Sequence, residues 1–276
     1  MSYKRILTVQ DISCVGQCSL TVALPILSAC GLETAILPSA ILSTHTAGFS
    51  GYTFRDLSKD MPSILNHWVK ENIKFEGIYT GYLGSSEQVE YVLDIVSKTL
   101  TKSGKFFVDP AMADNGKLYP GFDSNYVESM KKLSSYADYL IPNITEACLL
   151  ADVEYKEEYD REYIDLLIKG LKCLGAKNII LTGVSYKKGK TGVVVYENDN
   201  YAYYEHDKLS NSCHGTGDIY ASSFVGLMLN GKSAYNASRL AADYTVECIK
   251  QTASEKDHWY GAKFEPALKT LISFLD

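Results

Sequence analysis

Ser212-Cys213-His214-Gly215-Thr216-Gly217-Asp218-Ile219-Tyr220-Ala221-Ser222-Ser223 is a glycine-rich turn that runs into an apolar stretch, residues 219–229, whose pattern reads as a helix. The first amides of a helix have no partner within it and sit at the positive end of its dipole, so an anion is well placed there. Gly215 and Gly217 let the backbone approach such an anion with no side chain in the way. Asp218 brings a negative charge of its own. That is wrong for a plain phosphate cradle and right for a base acting on a hydroxyl beside the anion. A glycine turn with an aspartate N-cap has the same four letters, so the surroundings must weigh the motif.

Outward from that turn, short apolar runs alternate with helical patterns. Residues 5–10, 33–38, 78–81, 105–109, 138–141 and 178–182 read as strands. Residues 19–30, 63–71, 87–102, 125–135 and 161–174 read as helices between them, and Gly31 is a natural helix stop. Such alternation predicts a mostly parallel sheet covered on both faces. Residues 193–196 and 201–205 flank Glu197-Asn198-Asp199-Asn200 as an antiparallel hairpin. Residues 233–250 and 265–275 close the chain as helices. There is no repeat, low-complexity tract or linker, and 276 residues suit one large α/β domain at roughly 100–200 residues per domain.

Composition narrows the function classes. A net charge of −6 speaks against a polyanion partner such as nucleic acid. No apolar run approaches the ~20 residues of a membrane span. The N-terminus runs straight into a strand pattern without a small-residue cleavage site, which predicts no signal peptide. Seven cysteines without paired spacing predict reduced thiols in a cytoplasmic protein. Cys14 and Cys18 lack the second pair that a zinc site needs.

In an open α/β sheet, ligands gather at the carboxyl ends of the strands. The polar residues following each strand pattern are Asp11, Ser43-Thr44-His45-Thr46, Gly81-Tyr82-Leu83-Gly84, Asp109-Pro110, Asn143 with Glu146, Thr182-Gly183, and the Gly215–Asp218 turn. Each also has an ordinary structural reading. Asn143-Ile144-Thr145-Glu146 before an apolar run is a helix capping box, Asp109-Pro110 ends a strand, and His45 and Tyr82 could be packing residues. Cys213 and His214 flank the turn with nothing in the sequence to give them a partner.

Gly81-Tyr82-Leu83-Gly84-Ser85-Ser86-Glu87-Gln88, Asp109-Pro110-Ala111-Met112, Pro142-Asn143-Ile144-Thr145-Glu146 and Gly215-Thr216-Gly217-Asp218 stand in an order and spacing that resembles the pyridoxal kinases, a branch of the ribokinase-like superfamily. The resemblance implies a three-layer αβα sandwich with a mostly parallel central sheet and no separate lid domain, residues 1–276 forming a single kinase domain. It implies ATP-dependent phosphorylation of the 5′-hydroxymethyl group of pyridoxal, pyridoxine or pyridoxamine. Asp218 would then be the base, and the backbone of Gly215, Thr216 and Gly217 the anion hole. Asp11, His45, Thr46 and Tyr82 would surround the pyridine ring. Asp109, Asp114, Tyr119, Asn143, Glu146, Thr182 and Gly183 would surround ATP. Glu146 and Asp109 would hold Mg²⁺ largely through water, with a monovalent cation such as K⁺ as a possible addition. A cytoplasmic homodimer is the implied assembly.

The chain departs from that pattern at Asp11, where relatives carry serine. Asp11-Ile12-Ser13 also resembles the Asp-Pro-Ser opening of hydroxymethylpyrimidine (phosphate) kinases, the alternative enzyme. A vitamin-B6-binding sensor on a decayed kinase fold is the non-enzyme alternative, and Asp218, Asn143 and Glu146 all being present argues against decay.

Overall fold

The computed structural model describes residues 3–209, 213–253, 255 and 257–276. Ser212, the first residue of the glycine-rich stretch, lies outside them. In chain order the elements are β1 (Arg5–Ser13), α1 (Leu20–Ala29), β2 (Glu33–Leu42), β3 (Phe54–Asp56), α2 (Met61–Lys70), β4 (Phe75–Thr80), α3 (Ser86–Thr99), β5 (Leu100–Val108), β6 (Ala113–Asp114) and β7 (Lys117–Leu118). They continue with α4 (Ser124–Ser135), β8 (Tyr139–Leu140), α5 (Ile144–Ala151), α6 (Arg161–Leu174), β9 (Asn178–Val184), β10 (Lys190–Glu197), β11 (Asn200–Asp207), α7 (Thr216–Leu229) and α8 (Ala234–Ala253). A 3₁₀ turn (Glu265–Ala267) then leads into α9 (Leu268–Ser273).

Nine strands form one sheet in the order β11-β10-β9-β8-β5-β4-β1-β2-β3. The six from β9 to β2 run parallel, while β10, β11 and β3 are antiparallel edges. Parallel strands need both faces covered. One face packs Val89, Met130, Ala147 and Leu167 of α3 to α6 against Leu7, Ile78 and Phe106. The other packs Ile26 of α1, Phe224 of α7 and Ala241 of α8 against Ile6, Tyr79 and Phe107. The result is the expected three-layer αβα sandwich. No described helix is long and apolar enough to cross a membrane.

Strand order reverses at β1, which has β2 on one side and β4 on the other. At such a switch point the connections leave in opposite directions and open a crevice at the carboxyl ends of the strands. Asp11 near the end of β1 and Gly81-Tyr82 just after β4 therefore border it.

Several boundaries differ from the sequence expectation. The helix expected over 87–102 ends at Thr99, and Leu100 already begins β5. Residues 265–275 divide into a 3₁₀ turn and a short helix. β3, β6 and β7, two or three residues each, are too short to show a period. β6 and β7 form a small flap of their own, fastened where the Gly116 amide donates to Thr145 Oγ1 at 3.0 Å and the Tyr119 amide to the Met112 carbonyl at 2.8 Å.

Candidate active site

The glycine-rich motif is not a turn ahead of a helix at 219: α7 begins at Thr216, so Thr216, Gly217 and Asp218 are its first turn. Gly215 is the N-cap at φ 76°, and a Cβ there would lie 1.7 Å from the Gln17 carbonyl oxygen. Only glycine satisfies both demands. Gly217 is different, because a Cβ at that position would meet nothing within 4 Å. Its demand is open space rather than conformation. Among the described residues, none accepts a hydrogen bond from the amides of Thr216, Gly217 or Asp218. Amides at the positive end of a helix are the kind of group that receives an anion.

Four acids converge on that helix end. Burial raises the Asp218 carboxyl to about 7; the backbone amide of Ser19 opposes the rise and the charge of Asp11 adds to it. Ser19 takes φ 53°, a conformation that side chains rarely adopt, at the N-cap of α1. Asp11 itself is buried, and Ser13 Oγ donates to its Oδ2 at 2.9 Å. Burial pushes Asp11 up, while the hydroxyls of Ser19 and Ser13 pull it back. Asp109, directly after β5, is pushed well above the carboxylate range by burial and then by Glu146 and Asp218. Burial raises Glu146 as well, and the amides of Asn143, Met112 and Ala113 oppose it. No lysine or arginine is among the groups that act on these four carboxyls. His45 is the one group whose positive charge opposes the rise, and it acts on Asp11.

Asn143 and Glu146 do form the capping box: the Glu146 amide donates to Asn143 Oδ1 at 3.0 Å, and the Asn143 amide to Glu146 Oε2 at 2.9 Å. Glu146 Oε1 accepts from the Met112 amide at 3.1 Å, so one side chain joins the start of α5 to the Asp109–Met112 loop. Asn143 Nδ2 adds a bond to the Ala113 carbonyl at 2.8 Å. The box was legible in the sequence; its second function as a loop anchor was not.

The remaining candidates divide. Tyr119 stands close enough that Glu146, Asp114, Asp109 and Asp218 all add to the rise that burial imposes on its phenol. Tyr82 is half-buried, and its phenol is pushed up to about 12 by burial and then by Asp11. Asp114 is exposed and spends both oxygens on Asn115. Thr182 bonds back to the Pro142 carbonyl through its amide (2.9 Å) and its hydroxyl (3.2 Å), beside Asn143. Gly183, at φ 74°, accepts from Tyr159 OH at 3.3 Å. Thr46 is exposed, and its side chain makes no hydrogen bond among the described residues.

His45 differs most from its sequence reading. Its Nε2 meets the Tyr260 carbonyl at 2.6 Å and its Nδ1 accepts from the Ala47 amide at 3.2 Å. Both nitrogens serve the fold, so only ring faces remain for a ligand. Phe49 and His214 already approach that ring, with centroids at 5.0 and 5.4 Å. Trp259, half exposed, lies 4.7 Å from Phe49, and the Ala262 amide donates to the His214 carbonyl at 3.1 Å. Residues 257–262 are thus a wall of the crevice that the sequence reading missed. A run as aromatic as His258-Trp259-Tyr260 in a polar tail was the available signal.

Gln88, in the segment that carries part of the resemblance, is also structural. It is fully buried and holds the Gly84 amide (2.7 Å), the Ser39 carbonyl (2.9 Å) and Ser58 Oγ (2.9 Å), which ties the Tyr82 loop to β2 and the turn after β3.

Residues 27–262 match the family described as phosphomethylpyrimidine kinase. Among solved structures, a Bacteroides thetaiotaomicron protein assigned as a phosphomethylpyrimidine kinase and crystallised with pyridoxal is 35% identical, with a TM-score of 0.93 over 98% of this chain and 96% of that one. Pyridoxal kinase from Lactobacillus plantarum is 29% identical, with a TM-score of 0.91 over 99% and 98% of the two chains. Pyridoxal kinase of Dictyostelium discoideum is 26% identical over 239 residues, 80% of this chain and 77% of that protein.

Proposed function

The chain belongs to the phosphomethylpyrimidine kinase family, and we propose that within it the protein is a pyridoxal kinase, transferring the γ-phosphoryl of ATP to the 5′-hydroxymethyl group of a B6 vitamer. The observation that carries this reading is Asp218: a buried carboxyl held at about 7 in the first turn of α7, beside three amides that have no partner among the described residues. A base is most useful when its pKa lies near the working pH. Asp218 takes the hydroxyl proton as the oxygen attacks phosphorus, and the amides of Thr216, Gly217 and Asp218 receive the charge on the transferring group. Asp11 and Tyr82 border the ring, with the faces of His45 and Phe49 opposite.

Mg²⁺ fits the acids. They are hard oxygen donors, and Glu146 has both oxygens engaged by backbone amides, which suits an ion that keeps its waters. Among the described residues no group of three His, Cys, Asp or Glu side chains is arranged to ligate a metal outright. Asp109 and Glu146, with Asn143 beside them, are the residues that would hold it, largely through water. The chemistry that Mg²⁺ would supply there is positive charge against the negative charge of the phosphates.

Hydroxymethylpyrimidine kinase is the second reading, favoured by the bond from Ser13 to Asp11 within Asp11-Ile12-Ser13. Side-by-side ADP release with pyridoxal, pyridoxine, pyridoxamine, hydroxymethylpyrimidine and its phosphate tests the assignment. Turnover of any vitamer above both pyrimidines supports it; preference for a pyrimidine overturns it.

A further inference from the structure

The loops that follow β1 and β2 run side by side beyond the sheet. The amides of Cys14 and Val15 donate to the carbonyls of Leu42 (2.9 Å) and Ser43 (3.2 Å), and the His45 amide donates to the Val15 carbonyl (3.3 Å). Beyond His45 the chain has little to rest on. From Thr46 to Asp56 every residue is exposed except Ala47 and Phe49, which are half-buried, and none of these side chains packs into the core on either face of the sheet.

What backs this loop is the segment after α8. The Trp259 ring, half exposed, lies 4.7 Å from that of Phe49. It also lies so close over Gly48 that a Cβ there would come within 2.7 Å of it. The Tyr260 carbonyl meets His45 Nε2 at 2.6 Å. Gly261 packs on Gln17, in the loop after β1, where a Cβ would lie 2.3 Å from the Gln17 Cβ. The Ala262 amide donates to the His214 carbonyl at 3.1 Å, one residue before Gly215. Consecutive residues, 259–262, thus touch the loop after β1, the loop after β2 and the turn that starts α7. The candidate ATP residues Asn143, Glu146 and Thr182 sit by contrast at β8 and β9, toward the other end of the sheet from β2.

A loop with so few contacts of its own must be ordered by whatever binds against it, and each side chain immobilised on binding lowers affinity. A backing ring that holds the loop beforehand removes that loss. Resting on the reading of this crevice as the site of an alcohol kinase, we infer that Trp259 is a positioning residue for the acceptor. Acting through Phe49 and the Gly48 backbone, it holds the loop after β2 in the form that receives the acceptor ring, and it leaves ATP and the chemical step untouched.

The test measures kcat, both KM values and Tm for Trp259→Ala, Trp259→Phe, Phe49→Ala and the Trp259→Ala/Phe49→Ala double variant, with the alcohol that the wild type turns over best. Trp259→Ala should raise the acceptor KM by about tenfold, the equivalent of ordering one or two side chains. The ATP KM and kcat should stay within about twofold, a split that marks lost binding of one substrate. Trp259→Phe keeps a ring beside Phe49 and should recover most of the loss. The double variant should lose less than the product of the two single losses, since Trp259 acts through Phe49. An unchanged acceptor KM in Trp259→Ala overturns the inference. An equal rise in both KM values overturns it too, because a merely structural contact would act on both. If Asp218→Asn abolishes turnover while Trp259→Ala behaves as the wild type, only this inference fails; if the wild type turns over no alcohol, the kinase reading fails and takes this inference with it.

Discussion

Asp218 can act as a base only after it loses a proton that burial and Asp11 hold to about 7. Turnover should therefore climb through an acid limb near neutrality and level off above it. Asp218→Asn should cost ~10²–10⁴-fold in kcat, the usual worth of a general base. A flat kcat profile from pH 5 to 9 would place the base elsewhere. Glu146 makes a different demand. Two backbone amides, of Met112 and Asn143, each need one of its oxygens, and glutamine offers a single acceptor. Glu146→Gln should thus destabilise the protein by about 1–3 kcal/mol, the cost of one buried amide left unpaired. It should also raise the Mg²⁺ midpoint for activity, because the Asp109 loop loses an anchor. Thermal unfolding and a Mg²⁺ titration check the two effects separately, and an unchanged Tm would mean that the capping box alone explains Glu146.

Helix α7 shows how one element carries two glycine requirements of different origin. At Gly215 the backbone is left-handed and the Gln17 carbonyl blocks any Cβ. Gly215→Ala should therefore cost more than ~1 kcal/mol in stability, since strain adds to the clash. At Gly217 neither applies, and alanine is a better helix former by about 1 kcal/mol. Gly217→Ala should unfold at the same temperature as the wild type or above it. Its turnover should still fall on the order of 10²-fold, comparable with the loss of one anion-hole donor, because the new methyl group enters the space left for phosphate. Differential scanning calorimetry beside an ADP-release assay separates the two. Full activity in Gly217→Ala would remove the anion from the start of α7.

For the molecule as a whole, the acid cluster sets how stability changes with pH. Asp218, Asp109 and Glu146 are all raised above their unfolded values. The folded state therefore binds more protons than the unfolded chain between about pH 4 and pH 7. Their contribution is full below the unfolded pKa and is lost as pH rises through the folded one. Asp199, Asp207 and Glu255 are lowered by lysine partners and act in the opposite sense at lower pH, but they are exposed and count for little. The protein without ligands should accordingly melt higher at pH 5 than at pH 8, and Asp218→Asn should flatten part of that slope. A Tm that rises from pH 5 to pH 8 would contradict the burial of these acids.

Where interactions run between neighbours in the chain, the sequence alone determined the outcome. Short apolar runs and period-three-to-four patterns exposed most of the parallel strands and the helices that cover them. The same holds for the Asn143–Glu146 box, whose two bonds close within three residues, and for a glycine–aspartate start to α7. The start of that helix at Thr216 escaped because it is set by a left-handed cap at Gly215, which has no periodic trace. Tertiary structure alone decided which loops meet. It placed Tyr260 against His45 across 215 residues of chain, and it made glycine obligatory at 215 by setting Gln17 beside it. Such contacts follow from the order of strands in the sheet, and strand order is a property of long-range packing that no local pattern of side chains encodes.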